Sequence, residues 1–361
     1  MRVAVVGAGV VGASVAYHLA RSGAEVTLVD AGAPASGVTG RSFGWIGGPG
    51  GTDRPDASTA LRQTALPDHR RLEQELPGLP VRWCGSLSWG AARPWPRPAD
   101  LAPGERLVEA EEIARLEPNL REPPAHAVLA TTDGAVEAAG VTAALVGAAR
   151  AHGAAVHLGR AVTAVWEVGR QRVGVATTSG VLTADRVVLA AGAATPALCA
   201  PHGVDLPVAP SPAVLLRFLA PPGLVRTVVD GPGLEVREAA PGQLVAAADH
   251  RGEDTPGELD RRGQEVLARL RDAFVGAEGV RLGDVRVGTR PMPTDGLPLV
   301  GPLPGWPEVH VAVMHSAVTL APAVGRLVAD ELTTGRTAPE LQGLRPLRDG
   351  SSGLAGGTAG A

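Results

Sequence analysis

The chain has 361 residues and a formal net charge of −4, long enough for two domains and a large buried core. No basic stripe offsets that slightly acidic balance, and no uninterrupted apolar run reaches the ~18–20 residues of a membrane span, so nucleic acid, anionic membrane and transmembrane roles are set aside. Cys84 and Cys199 are its two cysteines; they form neither a Cys-x-x-Cys nor a metal-like cluster, which points to a reduced, cytoplasmic protein without structural zinc. All 33 basic residues are arginine, so a mechanism that needs a lysine amine is excluded.

The first thirty residues carry the strongest local pattern. Val3-Ala-Val-Val-Gly7-Ala-Gly9-Val-Val-Gly12 is an apolar run closing in a glycine-rich turn, Ala13 to Arg21 follow at helical spacing, and Val26-Thr-Leu-Val-Asp30 is a second apolar run ending in an acid. Strand, Gly-x-Gly-x-x-Gly turn, helix, strand and carboxylate make up a dinucleotide-binding unit. Gly7 permits the tight turn, Gly9 lets backbone approach a pyrophosphate, and Gly12 lets helix and strand pack closely. The pyrophosphate would sit on free N–H groups at the helix start, and Asp30 would accept from a ribose hydroxyl. A signal peptide is the competing reading, since Arg2 precedes apolar residues up to Ala20; three glycines in its core and the acidic second strand argue against it.

Residues 31–60 form a long Gly/Ser/Pro-rich stretch, and loops of that length are usually functional or disordered. Its Phe43 and Trp45, in a chain only 3% aromatic, favour function. Ala60 to Leu76 reads as a helix that Pro67 kinks or divides. Val81 to Trp89 alternates like one strand, with Trp83 and Trp89 on the same side. The Pro-rich loop 91–104 is a lid or plain surface. Helices follow at Glu109–Leu116 and Val136–His152, a strand at Val156–Leu158, and a β-meander at Val162–Val168, Val173–Thr177 and Val181–Thr183. Arg186 to Gly192 is a buried strand ending in glycine. The Pro-rich stretch 201–223 crosses between domains. Val214–Leu219, Val225–Val229, Leu234–Arg237 and Leu244–Ala247 suggest a second, antiparallel sheet, and Glu258–Phe274 an amphipathic helix. Val309–Met314 is a strand and Val318–Leu332 a helix. Residues 341–361 are read as a disordered tail, rich in Gly, Ala and Ser from about Gly350.

In open α/β sheets, ligands bind beyond the carboxyl ends of the strands. Gly7–Gly12, Asp30, Ala191-Gly192 and Met314-His315-Ser316 all fall at such ends, which places the C-terminal motif beside the cofactor. Residue by residue, bland readings compete. Arg290 is an ion-pairing arginine or a catalytic one, His315 structural or active, and Trp45 core or cofactor neighbour. His310 is read as starting its strand at the opposite edge, away from the site, and Asp295 as a turn former.

Two C-terminal strings go further: Gly288-Thr-Arg290-Pro-Met-Pro-Thr-Asp295-Gly-Leu-Pro298-Leu-Val-Gly301, and Met314-His315-Ser-Ala-Val-Thr319-Leu-Ala-Pro322-Ala-Val-Gly325. With the N-terminal unit and Asp133-Gly-Ala-Val-Glu137, these resemble the flavin-dependent D-amino-acid oxidase family, which includes glycine and sarcosine oxidases. The resemblance spans roughly residues 1–335. It implies an α/β fold, with a Rossmann-type FAD-binding domain assembled from 1–80, 131–205 and 286–340 and an antiparallel-sheet substrate domain from 81–130 and 206–285. It implies FAD contacts at Gly7, Gly9, Gly12, Asp30, Thr39, Arg41, Ser42, Val162, Gly192, Ala317, Val318 and Thr319, with catalytic roles for Arg290, as carboxylate anchor, and His315.

The implied reaction is hydride transfer from an amine-bearing carbon of an amino acid or secondary amine to flavin N5. The imine is then hydrolysed and the flavin reoxidised by O2 or another acceptor. Departures from the family matter. No cysteine lies between Cys199 and the chain end, so the flavin is expected to be non-covalent. The lysine that sarcosine-oxidase-like members use towards oxygen is absent, so His315 or an arginine takes that role or O2 is not the acceptor. Ala317 stands where glycine is usual, and Thr319 at the position of the family's second lysine. An NAD(P)-linked dehydrogenase, and a non-catalytic FAD-binding subunit of a larger dehydrogenase, are the alternatives. The oligomeric state is not legible.

Overall fold

Alternation along the buried strands sets the layers. In the first strand, Arg2–Val6, residues Val3 and Val5 face one side and Ala4 and Val6 the other, and all four are buried, as a strand covered on both faces requires. The computed structural model describes residues 1–48, 56–90, 96, 100–169 and 171–348. Among them are seven α-helices: α1 Val10–Arg21, α2 Thr59–Glu75, α3 Ala110–Leu116, α4 Ala138–Ala151, α5 Thr195–Cys199, α6 Pro256–Ala273 and α7 Ala317–Thr334.

The first strand is central in a six-stranded sheet whose order is Leu299–Leu303, Trp306–Val313, Arg186–Leu189, Arg2–Val6, Glu25–Val29 and Ala155–His157. All pairs are parallel except the edge pair of Leu299–Leu303 with Trp306–Val313. On one face Val3, Val5, Val188 and Ala312 pack against α1, α2, α4 and α7. On the other, Ala4, Val6, Val187 and Leu189 pack against the expected meander, Val162–Glu167, Val173–Thr177 and Gly180–Ala184.

The second sheet has eight strands, ordered Arg281–Pro293, Val208–Leu219, Gln243–Asp249, Leu234–Ala240, Val228–Gly231, Ser86–Ser88, His126–Ala130 and Glu105–Glu109. Val214, Leu216, Phe218, Val236 and Leu244 point to one face and form a second core with Val266, Leu270 and Phe274 of the α6 segment. The intervening residues, Ala213, Leu215, Glu235 and Ala247, face the cavity described below.

Several expectations are corrected. The stretch 81–89 is two strands in two sheets: Val81–Arg82 joins a small sheet with Trp45–Ile46 and Gly134–Val136, while Ser86–Ser88 joins the large one. Gly85, at φ 71°, turns the chain between them. Trp83 and Trp89 therefore part company, Trp83 lying under the Arg70 guanidinium and the half-buried Trp89 packing against the second core. Pro67 does not divide α2. The second sheet is not wholly antiparallel, because Val228–Gly231 runs parallel to Ser86–Ser88.

The Pro-rich stretch after 201 is largely strand. Pro210 and Pro212 pair only towards Arg281–Pro293, whereas the other neighbour begins at Ala213, so the missing N–H groups sit on an open edge. The strand Arg281–Pro293 runs unbroken through the expected boundary at 285/286. His310 is interior to its strand and buried. Residues 341–348 are ordered: Leu341 and Leu344 are fully buried, and Arg345 and Arg348 bind Glu331 and Asp295. Most of the loop 91–104 and residues 349–361 lie outside the described residues. No described helix is long and apolar enough to cross a membrane.

Candidate active site

A cavity of about 750 Å³ opens where the parallel strands end, at Val6, Val29, Ala190 and Val313. The glycine turn forms its floor. Gly7 has φ 108°, and a Cβ there would meet Ala190 O at 2.4 Å. A Cβ on Gly12 would lie closer still to Gly7 O, so α1 seats against the turn only because both positions lack side chains. At the start of α1 the Val10 N–H goes to Thr39 Oγ1 at 3.2 Å and Ala13 N–H to Gly9 O. The amides of Val11 and Gly12 have no partner among the described residues, which leaves an anion-binding helix end. Asp30 accepts the Ala8 N–H at 2.6 Å and the Gly32 N–H at 2.7 Å, one on each oxygen. A carboxylate has about four acceptor sites, so capacity remains for sugar hydroxyls.

A second cavity of about 450 Å³ adjoins the first, and Val10, Val38, Thr39, Pro291, Met314 and Ala317 line both. Its far wall is the large sheet, with Leu215, Glu235, Ala247 and Arg290. Arg290 donates through Nε to Ser211 O at 3.3 Å and through Nη2 to Ser211 Oγ at 2.9 Å. Those bonds steady the guanidinium and leave Nη1 free. No described carboxylate lies within 4.0 Å of it. Arg41 and Arg62 also face this cavity. His315 is open to it, yet the surrounding protein lowers its pKa by desolvation first, and then through the positive charges of Arg290 and Arg62.

The helix α7 begins at this cavity. The chain enters it through Ser316 at φ 56°, left-handed for a non-glycine residue, a conformation that costs roughly 1–2 kcal/mol. Leu320 N–H closes the first bond to Ser316 O, and the amides of Ala317, Val318 and Thr319 have no partner among the described residues. All three residues line the cavity. The first turn of α7 carries a built-in defect, because Pro322 has no N–H to give to Val318 O. His69 of α2 supplies the donor: its Nε2 lies 3.1 Å from both Val318 O and Thr319 O. Carbonyls only accept, so Nε2 carries the proton. Burial holds the ring neutral by lowering its pKa to about 4. Beyond it, Arg326 of α7 clamps Asp68 with two bonds of 3.0 and 2.8 Å.

This arrangement predicts the outcome of a double-mutant cycle. His69→Phe is expected to cost about 1–3 kcal/mol by leaving a buried carbonyl unsatisfied. Adding Pro322→Ala, which restores the N–H, is expected to recover much of it. Equal losses with and without Pro322, read from denaturant unfolding, would sink the account.

The opposite wall is held by Arg237, buried to 2% exposure. It donates to Phe43 O, Val136 O and Glu137 Oε1, tying the loop around Phe43 to the Asp133–Glu137 segment and the large sheet. Trp45 lines the cavity and donates to Asp133 at 2.8 Å. Burial raises the Asp133 pKa, against hydrogen bonds from Gly48, Ser86 and Trp45.

Of the residues singled out from sequence, Gly7, Gly9, Asp30, Val162 and Gly192 line the first cavity. Arg41, Ser42, Arg290, His315, Val318 and Thr319 line the second, and Thr39 and Ala317 both. Gly12 lines neither; it acts by close backbone approach. Three residues escaped sequence reading. Glu235 and Arg62 had no motif around them. His69 had a readable signal, since a proline inside a helix strands a carbonyl that another element must satisfy.

A strand–glycine turn–helix unit at the carboxyl edge of a parallel sheet, opening onto a second cavity walled by another sheet, defines a dinucleotide-dependent oxidoreductase. The chain belongs to the DAO family of FAD dependent oxidoreductases, whose profile it matches over residues 2–331. It is 29% identical to a glycine oxidase of Geobacillus kaustophilus (strain HTA426) over 364 residues, 94% of each protein. To a glycine oxidase of Bacillus licheniformis it is 27% identical, over 90% of this chain and 91% of that one. Among solved structures it superposes on glycine oxidase from Geobacillus kaustophilus with a TM-score of 0.83, at 25% identity and covering 96% of this chain and 99% of that one. For iminodiacetate oxidase from Chelativorans sp. BNC1 the TM-score is 0.81, with the same identity and coverages. The family match does not favour the nicotinamide-linked alternative.

FAD fits what the chain presents. Two adjoining cavities suit its two halves. The uncapped start of α1 suits a diphosphate, Asp30 suits a ribose, and the unpartnered amides of α7 suit an electron-rich ring edge.

Proposed function

We propose that this FAD-dependent oxidoreductase oxidises the C–N bond of a small amino or imino acid whose carboxylate is held by Arg290. The observation that carries the reading is the Arg290 fork, steadied on Ser211, facing the cavity and unpaired with any described carboxylate. A planar guanidinium suits bidentate contact with a carboxylate. The relatives agree in substrate type: they are named for glycine, iminodiacetate and, at 33% identity over 58% of this chain and 26% of that protein, 4-methylaminobutanoate. Bound FAD supplies the hydride acceptor.

The chain's own residues bind and orient. The turn at Gly7–Gly9, the start of α1 and Thr39 hold the diphosphate, Asp30 the ribose, and the Val162 and Gly192 backbone the adenosine side. The amides of Ala317–Thr319 would face the electron-rich edge of the bound flavin and favour negative charge there. His315, whose pKa its surroundings lower, lines the second cavity together with Arg41 and Ser42. With no lysine present, Arg41, Arg62 and Arg290 would supply the positive charge beside the bound cofactor, whose electrons would pass to O2 or another acceptor. The reading of a non-covalent flavin is supported by the positions of Cys84 and Cys199, which are not among the residues lining either cavity.

The test is anaerobic reduction of the purified yellow protein. An amino or imino acid from a panel of D-, L- and N-methyl compounds is expected to bleach the flavin band, while the matching amine without a carboxylate does so poorly. Acid precipitation is expected to release the flavin to the supernatant. Bleaching by no amino acid, or equal bleaching by carboxylate-free amines, would overturn the substrate assignment.

A further inference from the structure

We infer that Glu235 is a specificity-determining residue that selects substrates carrying positive charge opposite the carboxylate, and disfavours dicarboxylates. The inference rests on the Arg290 reading and narrows it to zwitterionic or cationic monocarboxylates.

The geometry begins with strand alternation. Leu234 and Val236 point into the second core, so Glu235 between them points to the cavity. Its cross-strand partners are Asp230 on one side and Ala247 on the other, and Ala247 pairs in turn with Leu215. Ala247 and Leu215 line the cavity wall with it, and neither offers a hydrogen bond from its side chain. Glu235 has no hydrogen-bond or ion-pair partner among the described residues. A cavity-facing carboxylate without a hydrogen-bond or ion-pair partner from the protein is a site for a cation brought by the ligand. Desolvation, with the negative charges of Asp230 and Asp249, brings its pKa up to about 7 against the lowering pull of Arg290 and Arg237, and these charges come from every neighbouring strand. His315, Arg41 and Arg62 face the same cavity. Arg290 lies beyond ion-pair distance but within electrostatic reach, and Glu235 is the one acidic group among the described lining residues, beside Arg41, Arg62 and Arg290; together they complement a ligand that carries both charges. A second carboxylate on a ligand would meet Glu235 as a like charge.

The test compares two non-oxidisable probes of nearly the same shape, trimethylglycine and 3,3-dimethylbutanoate, which differ in the positive charge. Each is titrated into the holoenzyme and followed by perturbation of the flavin spectrum. At about pH 8.5 the wild type is expected to prefer trimethylglycine by about tenfold or more. That preference is expected to shrink at about pH 6 as Glu235 takes up a proton, and to be lost at both pH values in Glu235→Gln. The pH dependence of the wild type stands without any variant. Equal binding of both probes by the wild type at the higher pH overturns the role of Glu235 alone. Full preference retained in Glu235→Gln does the same. Binding of neither probe overturns the Arg290 reading and this inference with it.

Discussion

Arg290→Ala is expected to weaken binding of carboxylate ligands to the holoenzyme by about 10²–10⁴-fold. The figure follows from two lost hydrogen bonds to a charged group, each worth roughly 1.5–3 kcal/mol, at a factor of ten per ~1.4 kcal/mol. Arg290→Lys is expected to fall in between, because an ammonium keeps the charge but not the fork. The variant also gives up two bonds to Ser211, so thermal melting and the flavin-to-protein ratio are read alongside to separate misfolding from lost recognition. A second signature travels with it: Arg290 is one of the charges that lower the His315 pKa, so that pKa is expected to rise in the variant. An unchanged dissociation constant for every small carboxylate, with the flavin spectrum intact, would remove Arg290 from the substrate site.

The other large effect is expected at Gly12. A Cβ there falls against Gly7 O and lies 3.3 Å from the Ala190 Cβ. The colliding atom is backbone that cannot rotate away. Overpacking of this kind costs about 1–3 kcal/mol even where side chains absorb it, and here α1 must lift off the turn that forms the floor of the first cavity. Gly12→Ala is expected to purify largely free of flavin and to melt several degrees lower. Gly147 provides the contrast. It lies exposed within α4 with no atom within 4 Å of its would-be Cβ, and Gly147→Ala is expected to gain up to ~1 kcal/mol from helix propensity. A yellow, wild-type-like Gly12→Ala protein would refute the close-approach argument for the turn.

Elements with strong local patterns were legible. The strand, turn and helix at the N-terminus, the meander from Val162 to Thr183, and the helices near 60–76, 136–152 and 258–274 each carry a local apolar or glycine pattern in consecutive residues, and the structure forms them within a few residues. The stretch 81–89 was not legible, because a single glycine, Gly85, sends two halves of one alternating pattern into different sheets. The strand with Pro210 and Pro212 was hidden because proline argues against strand until one knows that its bare side faces no neighbour. Residues 341–348 read as tail because their anchors, Leu341, Leu344 and Arg345, are separated by residues with no periodicity.

By itself the sequence determined the dinucleotide unit, the family resemblance that implied FAD, and the arginine at 290. These depend on backbone geometry and motifs spelled out in consecutive residues. Tertiary structure alone decided what surrounds Arg290. His69 meets Val318 across some 250 positions of chain, and Glu235 shares a wall with Arg290 only because intervening strands bring them to one face. Hydrogen bonding and charge act over a few ångströms, and which groups come that close is set by sheet order and packing, which no local pattern records.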